Sequence, residues 1–192
     1  MRENTGKVVL VGAGPGDTGL LTLKGEKYIK QADCLVYDRL SSPEFLSMAK
    51  AGCELIYVGK ENHKHVMKQD AINELLYEKS KYHELVVRLK GGDPYVFGRG
   101  GEEALYLVDR NVEVEVVPGV SSSVAGIPIT HRGIAKGFQV ITAHSRKDEE
   151  ADIDYSLLTD ETITCVFLMG LAHVKSIAAG LMKAGRRADT PA

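Results

Sequence analysis

The residues able to do chemistry in this sequence gather at glycine-rich breaks. The first break is Gly12-Ala13-Gly14-Pro15-Gly16-Asp17, directly after an apolar run. Glycine lets the main chain turn sharply and lets a ligand approach without meeting a side chain. Asp38 ends the next apolar run, 22 residues beyond Gly16. The layout imitates a dinucleotide fingerprint, in which an acid about 20 residues on holds the ribose. It departs from that fingerprint twice. Asp17 stands where the third glycine belongs, and Pro15 removes a backbone N–H from the turn that would hold phosphate. An acid here suits a sulfonium-bearing nucleoside better than a pyrophosphate; a structural strand-to-helix turn is the plain alternative.

The longest motif runs from Arg88 to Glu103 and reads RLKGGDPYVFGRGGEE. Its five glycines make sense where main chain lies against a ligand, with Val96 and Phe97 as anchors. Asp93 is placed to meet an ammonium group or ribose hydroxyls, and the planar fork of Arg99 suits carboxylates. In Tyr37-Asp38-Arg39-Leu40 the aspartate can serve as a base, a ligand anchor or the cap of a turn. Val58-Gly59-Lys60 puts a cation at the end of the third run. Pro118-Gly119-Val120-Ser121-Ser122-Ser123 is expected to begin a helix, one serine capping it and the others reaching a ligand. Gly126 to Gly133 adds His131 and Arg132. His63-Lys64-His65 has no third or fourth ligand placed nearby, so no metal site is expected. Neither a nucleophile elbow nor a Walker pattern occurs.

These groups need elements to hold them. Apolar, β-branched runs recur at Lys7–Val11, Cys34–Tyr37, Glu54–Val58, Leu85–Leu89, Glu113–Val117, Phe138–Thr142 and Thr164–Leu168. Such continuous runs suit strands buried on both faces of a parallel sheet. Helical stripes fall between them: Leu21, Gly25, Tyr28, Ile29 and Ala32; Ile72, Leu75 and Leu76; Ala104, Leu105 and Val108; and Leu171, Val174, Ala178 and Leu181. The alternation predicts an α/β fold. Pro118-Gly119 is the natural break, giving lobes over 1–118 and 119–192. Lys147–Asp154 is charged and without apolar period, a solvated loop. With only two strands the second lobe is expected to be incomplete at its C-terminus, since two strands make a poor sheet.

A formal net charge of -2 argues against a general nucleic-acid or membrane role, because counterion-driven binding needs a basic face. A local cluster of cations can still receive an acidic small molecule. The start of the chain carries no signal-peptide pattern, and no apolar run reaches the roughly 18 residues of a membrane span. Cys34, Cys53 and Cys165 are odd in number and widely spaced, so buried reduced thiols and a cytoplasmic location are expected.

Taken together, VGAGPGD, VYDRL, VGK, RLKGGDPYVFGRGGEE, VPGVSSS and GIPITHRG resemble, in order and spacing, the uroporphyrinogen-III C-methyltransferase branch of the tetrapyrrole methylase family. The resemblance implies two α/β lobes with a cleft between them, S-adenosyl-L-methionine as methyl donor, S-adenosyl-L-homocysteine as product, and a homodimer. It implies methylation of uroporphyrinogen III at C2 and C7 to precorrin-2, on the way to sirohaem or cobalamin. By the family's motifs, Pro15, Gly91, Gly92, Asp93, Val96, Ser121, Ser122 and Met169 contact the methyl donor. Asp38 matches the proton acceptor and Lys60 the proton donor. The chain has Ser121-Ser122 where the family usually has Thr-Ala or Ser-Ala, and Leu168 where a tyrosine commonly precedes the Met-Gly pair.

The sulfonium methyl is already electrophilic, so the protein's main task is to set an electron-rich pyrrole carbon in line with it. Orientation of this kind contributes on the order of 7–11 kcal/mol. Arg39, Arg99 and Arg132 are the candidates to receive the carboxylates of the macrocycle. Three other readings compete: a corrin methyltransferase of the same family, a nicotinamide-dependent oxidoreductase built on the early glycines and Asp38, and a non-catalytic tetrapyrrole store or sensor.

Overall fold

The computed structural model describes residues 5–39, 43–59, 67–144 and 151–192. The chain divides into two compact units, Met1–Ser121 and Ser122–Ala192. The first unit is built from β1 (Lys7–Gly12), α1 (Leu23–Gln31), β2 (Cys34–Tyr37), α2 (Pro43–Ser47), β3 (Glu54–Tyr57), α3 (Gln69–Ser80), β4 (Leu85–Lys90), α4 (Gly100–Val108) and β5 (Val114–Val117). Its five strands form one parallel sheet in the order β3-β2-β4-β1-β5. The seven apolar runs of the sequence match the seven strands found among the described residues, with ends shifted by a residue at most.

Successive residues of a strand face opposite sides of the sheet, and this one is buried on both. Val8, Leu10, Cys34, Val36 and Val86 pack on one face with Ile72 and Leu76 of α3 and Leu107 of α4. Val9, Val11, Leu35, Val87 and Leu89 pack on the other with Ile29 of α1 and Phe45 of α2. The order also locates the site. From β1 the chain crosses to β2 over one face; from neighbouring β4 it crosses to β5 over the other. Strands whose connections leave in opposite directions open a crevice at their carboxyl ends, where open α/β sheets bind ligands.

Helix α1 follows its expected stripe, with Gly25 and Ile29 buried and the Thr22 hydroxyl accepting from the Gly25 N–H at 3.0 Å. In α3 the expected Ile72 and Leu76 are buried. In α4 the expected stripe holds only at Ala104, which packs against the core. Leu105 and Val108 are exposed, and the residues turned inward are Gly100, Glu103 and Leu107. A buried charge occupies the stripe that an apolar pattern would mark. Helix α2 has no counterpart in the sequence reading, being too short to show a period.

The second unit contains β6 (Gly137–Thr142) and β7 (Ile163–Leu168), paired in parallel from Gly137↔Ile163 to Thr142↔Leu168, and α5 (Val174–Ala184). The serines expected to begin a helix do not: residues 122–124 form a turn, which the left-handed Gly126 and then Pro128 prevent from growing. The stripe foreseen for α5 is likewise rotated. Leu171 and Val174 are exposed, Ile177 is the buried residue, and Gly180 lets the Tyr155 ring lie against the helix. Of the loop expected over Lys147–Asp154, residues up to 150 lie outside the described ones, and Asp154 caps the following turn by accepting from the Ser156 N–H at 3.1 Å. Among the described residues no helix is long and apolar enough to cross a membrane.

Candidate active site

The carboxyl ends of β1 and β4, adjacent in the sheet, each run into a glycine loop. The two loops are joined by main chain: Gly14 N–H donates to Gly92 O at 3.2 Å, and Gly92 N–H to Gly14 O at 2.8 Å. Both glycines have positive φ, 73° and 65°, which a side chain would strain. The strand end of β5 completes the group. A Cβ on Gly12 would stand 2.5 Å from Gly119 N and 2.7 Å from Gly92 O, so three backbone segments touch where only glycine fits.

Asp93 ties this junction together. Its Oδ1 accepts from the Tyr95 N–H at 2.8 Å and its Oδ2 from the Gly119 N–H at 3.1 Å. A carboxylate has about four acceptor positions, so room remains for a ligand hydroxyl or ammonium. Pro15, Gly91, Gly92, Asp93 and Ser121 therefore belong to one set of strand ends in the first unit, with Val96 on the loop that follows. A Cβ at Gly16 or Gly92 would meet nothing within 4 Å, so the glycine loops leave open space above the main chain. Backbone amides and carbonyls, open space and one partly committed carboxylate fit a cationic nucleoside bearing an amino acid. Ser122, Arg132 and Met169 lie in the second unit. Ser122 and Arg132 are exposed in turns, and Met169 follows β7 half exposed with a φ of 59°.

Asp38 ends β2. Its Oδ2 accepts from Nη2 of Arg88 at 2.9 Å, while Nη1 of that arginine donates to Leu89 O at 2.8 Å. Behind Arg88 lies Glu103, wholly buried, whose Oε1 accepts from Lys90 Nζ at 2.9 Å and Gln69 Nε2 at 3.1 Å and stands 3.4 Å from Arg88 Nε. Burial, and after it the Arg88 charge, holds the Lys90 ammonium below the usual lysine range. Sequence alone gave Arg88, Lys90 and Glu103 no separate part beyond their place in the long glycine motif. The available signal was the alternation Arg88-Leu89-Lys90 inside an otherwise apolar strand.

Arg39 is exposed beside Gly59, at the ends of β2 and β3. Arg99, in left-handed conformation before α4, makes a two-point pair with Glu102, at 2.9 and 2.7 Å, so a substrate carboxylate there would replace that partner. Lys60, and with it His63 and His65, lies outside the described residues.

One group among the described residues has metal-ligand character: Cys34, Glu54 and His83, with ligand atoms within 4.8 Å of one another at the amino end of the sheet. Its chemistry favours an ion-pair cluster. Glu54 is already paired with Lys79 at 2.5 Å and with His83 at 2.9 Å, the lysine being the chief cause of its lowered pKa. Burial pushes the Cys34 thiol up to about 12, which keeps it protonated and a weak ligand.

A parallel sheet carrying glycine-lined loops at its switch point has the form in which open α/β units hold ligands. Residues 7–192 match the model of the tetrapyrrole (corrin/porphyrin) methylases, and the chain belongs to that family. It is similar to the uroporphyrinogen-III C-methyltransferase of Methanocaldococcus jannaschii, 52% identical over 194 residues that cover 97% of this chain and 79% of that protein. It is also similar to siroheme synthase 2 of Yersinia enterocolitica, 48% identical, covering 98% of this chain but 41% of that longer protein. Among solved structures, the uroporphyrin-III C-methyl transferase of Thermus thermophilus complexed with S-adenyl homocysteine gives a TM-score of 0.82 at 45% identity, covering 95% of this chain and 74% of that one. A cobalt precorrin-4 methyltransferase gives 0.78 at 25% identity, covering 94% and 75%.

Proposed function

We propose that this chain is an S-adenosylmethionine-dependent C-methyltransferase that methylates uroporphyrinogen III at C2 and C7 to give precorrin-2. The observation that carries the reading is the backbone junction of Gly14, Gly92 and Gly119 closed by Asp93, in a chain 52% identical to a uroporphyrinogen-III C-methyltransferase.

The donor supplies an electrophilic methyl group; the rest falls to the protein. The glycine junction and Asp93 seat the nucleoside by main-chain contact, with Pro15, Val96, Ser121, Ser122 and Met169 as further contacts. Arg39, Arg99 and Arg132 receive carboxylates of the macrocycle and set one pyrrole carbon against the donor. Asp38 takes up the proton released after carbon methylation, and Lys60 supplies one. The same reading includes a homodimer and a cytoplasmic location; the three free cysteines suit a reducing compartment.

Protein incubated with S-adenosylmethionine and uroporphyrinogen III should yield product heavier by two methylene units, two methyl groups gained and two protons lost. No mass change, with S-adenosylhomocysteine bound normally, would redirect the assignment to another corrinoid acceptor. Calorimetry should show S-adenosylhomocysteine binding and no NADH binding; the reverse result would favour the oxidoreductase reading.

A further inference from the structure

We infer that Arg88 is a positioning residue for this reaction: clamped from behind by Glu103, it fixes the Asp38 carboxylate at the carboxyl end of β2. The inference rests on the proposed role of Asp38 as proton acceptor.

Four observations support it. A central parallel strand is normally apolar throughout, yet β4 places Arg88 and Lys90 on the same face, both nearly sealed from water. Arg88 spans two elements, joining Asp38 of the β2 end to Glu103 of α4, so one guanidinium sets the aim of a carboxylate it does not neighbour in sequence. The two cations and two carboxylates sum to zero formal charge, with Glu103 sealed from water and the Asp38 side chain 23% exposed at the strand end. Finally, Glu103 Oε2 is buried with no hydrogen-bond partner among the described residues, a penalty that a core built only for stability would not retain. Buried ion pairs are often no more stabilising than apolar residues of the same volume. Stability alone therefore explains this network poorly. Holding a reacting carboxylate in one orientation explains each part of it, because a base must stay within hydrogen-bond reach of the proton it takes.

A double-mutant cycle tests this through turnover, KM and donor affinity together. Asp38→Asn, Arg88→Lys and the double variant are assayed for methyl transfer, and S-adenosylhomocysteine affinity is measured by calorimetry on each. Arg88→Lys keeps the charge but cannot bridge both carboxylates. We expect Asp38→Asn to lower kcat by about 10²-fold or more, and Arg88→Lys by about 10-fold with KM for the tetrapyrrole and donor affinity within about 3-fold. The double variant should be no slower than Asp38→Asn alone, since residues acting as one unit are not additive. Losses that multiply, an Arg88→Lys enzyme with normal kcat, or a kcat loss that follows donor affinity would each overturn the inference. If Asp38→Asn keeps its kcat, the reading beneath the inference fails instead. Should Arg88→Lys not fold, Glu103→Gln takes its place. It preserves shape and the contacts to Lys90 and Gln69 while removing the charge behind Arg88, and its kcat loss must likewise vanish in the Asp38→Asn background.

Discussion

At the scale of single residues, Asp93 does two jobs with one carboxylate. It closes its own turn on Tyr95 and reaches the Gly119 N–H across the junction. Asp93→Ala removes both acceptors and leaves two N–H groups to find water. Hydrogen bonds to a charged group contribute about 1.5–3 kcal/mol each. The substitution should therefore lower S-adenosylhomocysteine affinity at least about 10-fold in calorimetry, with unit 1 still folded by circular dichroism. Asp93→Asn, which keeps the acceptor oxygen, should recover part of that affinity; an Ala variant that binds normally would remove Asp93 from the site. The place of Asp93 at a glycine-rich strand end was legible in the sequence, and its carboxylate meets the Gly119 N–H there. The parts of Arg88 and Glu103 were not legible. Their pairing joins residues 15 apart through the packing of α4 on β4, and Asp38 joins them only because β2 lies beside β4. Sheet order decides such contacts, and single-sequence patterns do not encode it.

At the scale of elements, the parallel strands were legible nearly to the residue because β1, β2 and β4 are buried on both faces and the others keep short β-branched runs. Helix faces were less so. In α1 and α3 the apolar stripe is the buried stripe, whereas in α4 Glu103 takes a place that pattern reading reserves for leucine, and in α5 the exposed Leu171 and Val174 draw attention from Ile177. The contact of β1, β4 and β5 ends at Gly12 yields a sharper expectation. A methyl group there would collide with backbone on two sides, and backbone cannot swing aside as a long side chain can. Gly12→Ala should destabilise the protein by about 1–3 kcal/mol, read as a lower denaturation midpoint, and weaken S-adenosylhomocysteine binding in the same variant. Unchanged values for both would mean that the three strand ends can separate freely.

At the scale of the whole molecule, near-neutral charge conceals local order. Glu115 on β5 is bound by Lys24 and Tyr28 of α1 and Lys7 of β1, at 2.5, 2.6 and 2.5 Å. Lys24 first, then Lys7 and Tyr28, hold its carboxyl down at about 2 from the ordinary glutamate value near 4.5. A depressed folded value stabilises the fold above the unfolded one. That contribution is complete above about pH 4.5 and fades as pH falls through about 2, because the unfolded chain takes up the proton first. Glu115→Gln should thus flatten the decline of the thermal midpoint between those two pH values. Parallel curves for the two proteins would show that the ion pairs do not carry the acid sensitivity.

The rung between Gly14 and Gly92 has a consequence for how such a scaffold changes over time. It is made of peptide groups alone, so drift in the surrounding side chains leaves the rung itself untouched. On the proposed function, a lineage organised in this way can keep one methyl donor and exchange the ring it decorates. A cobalt precorrin-4 methyltransferase is similar in architecture at a TM-score of 0.78, with three residues in four replaced.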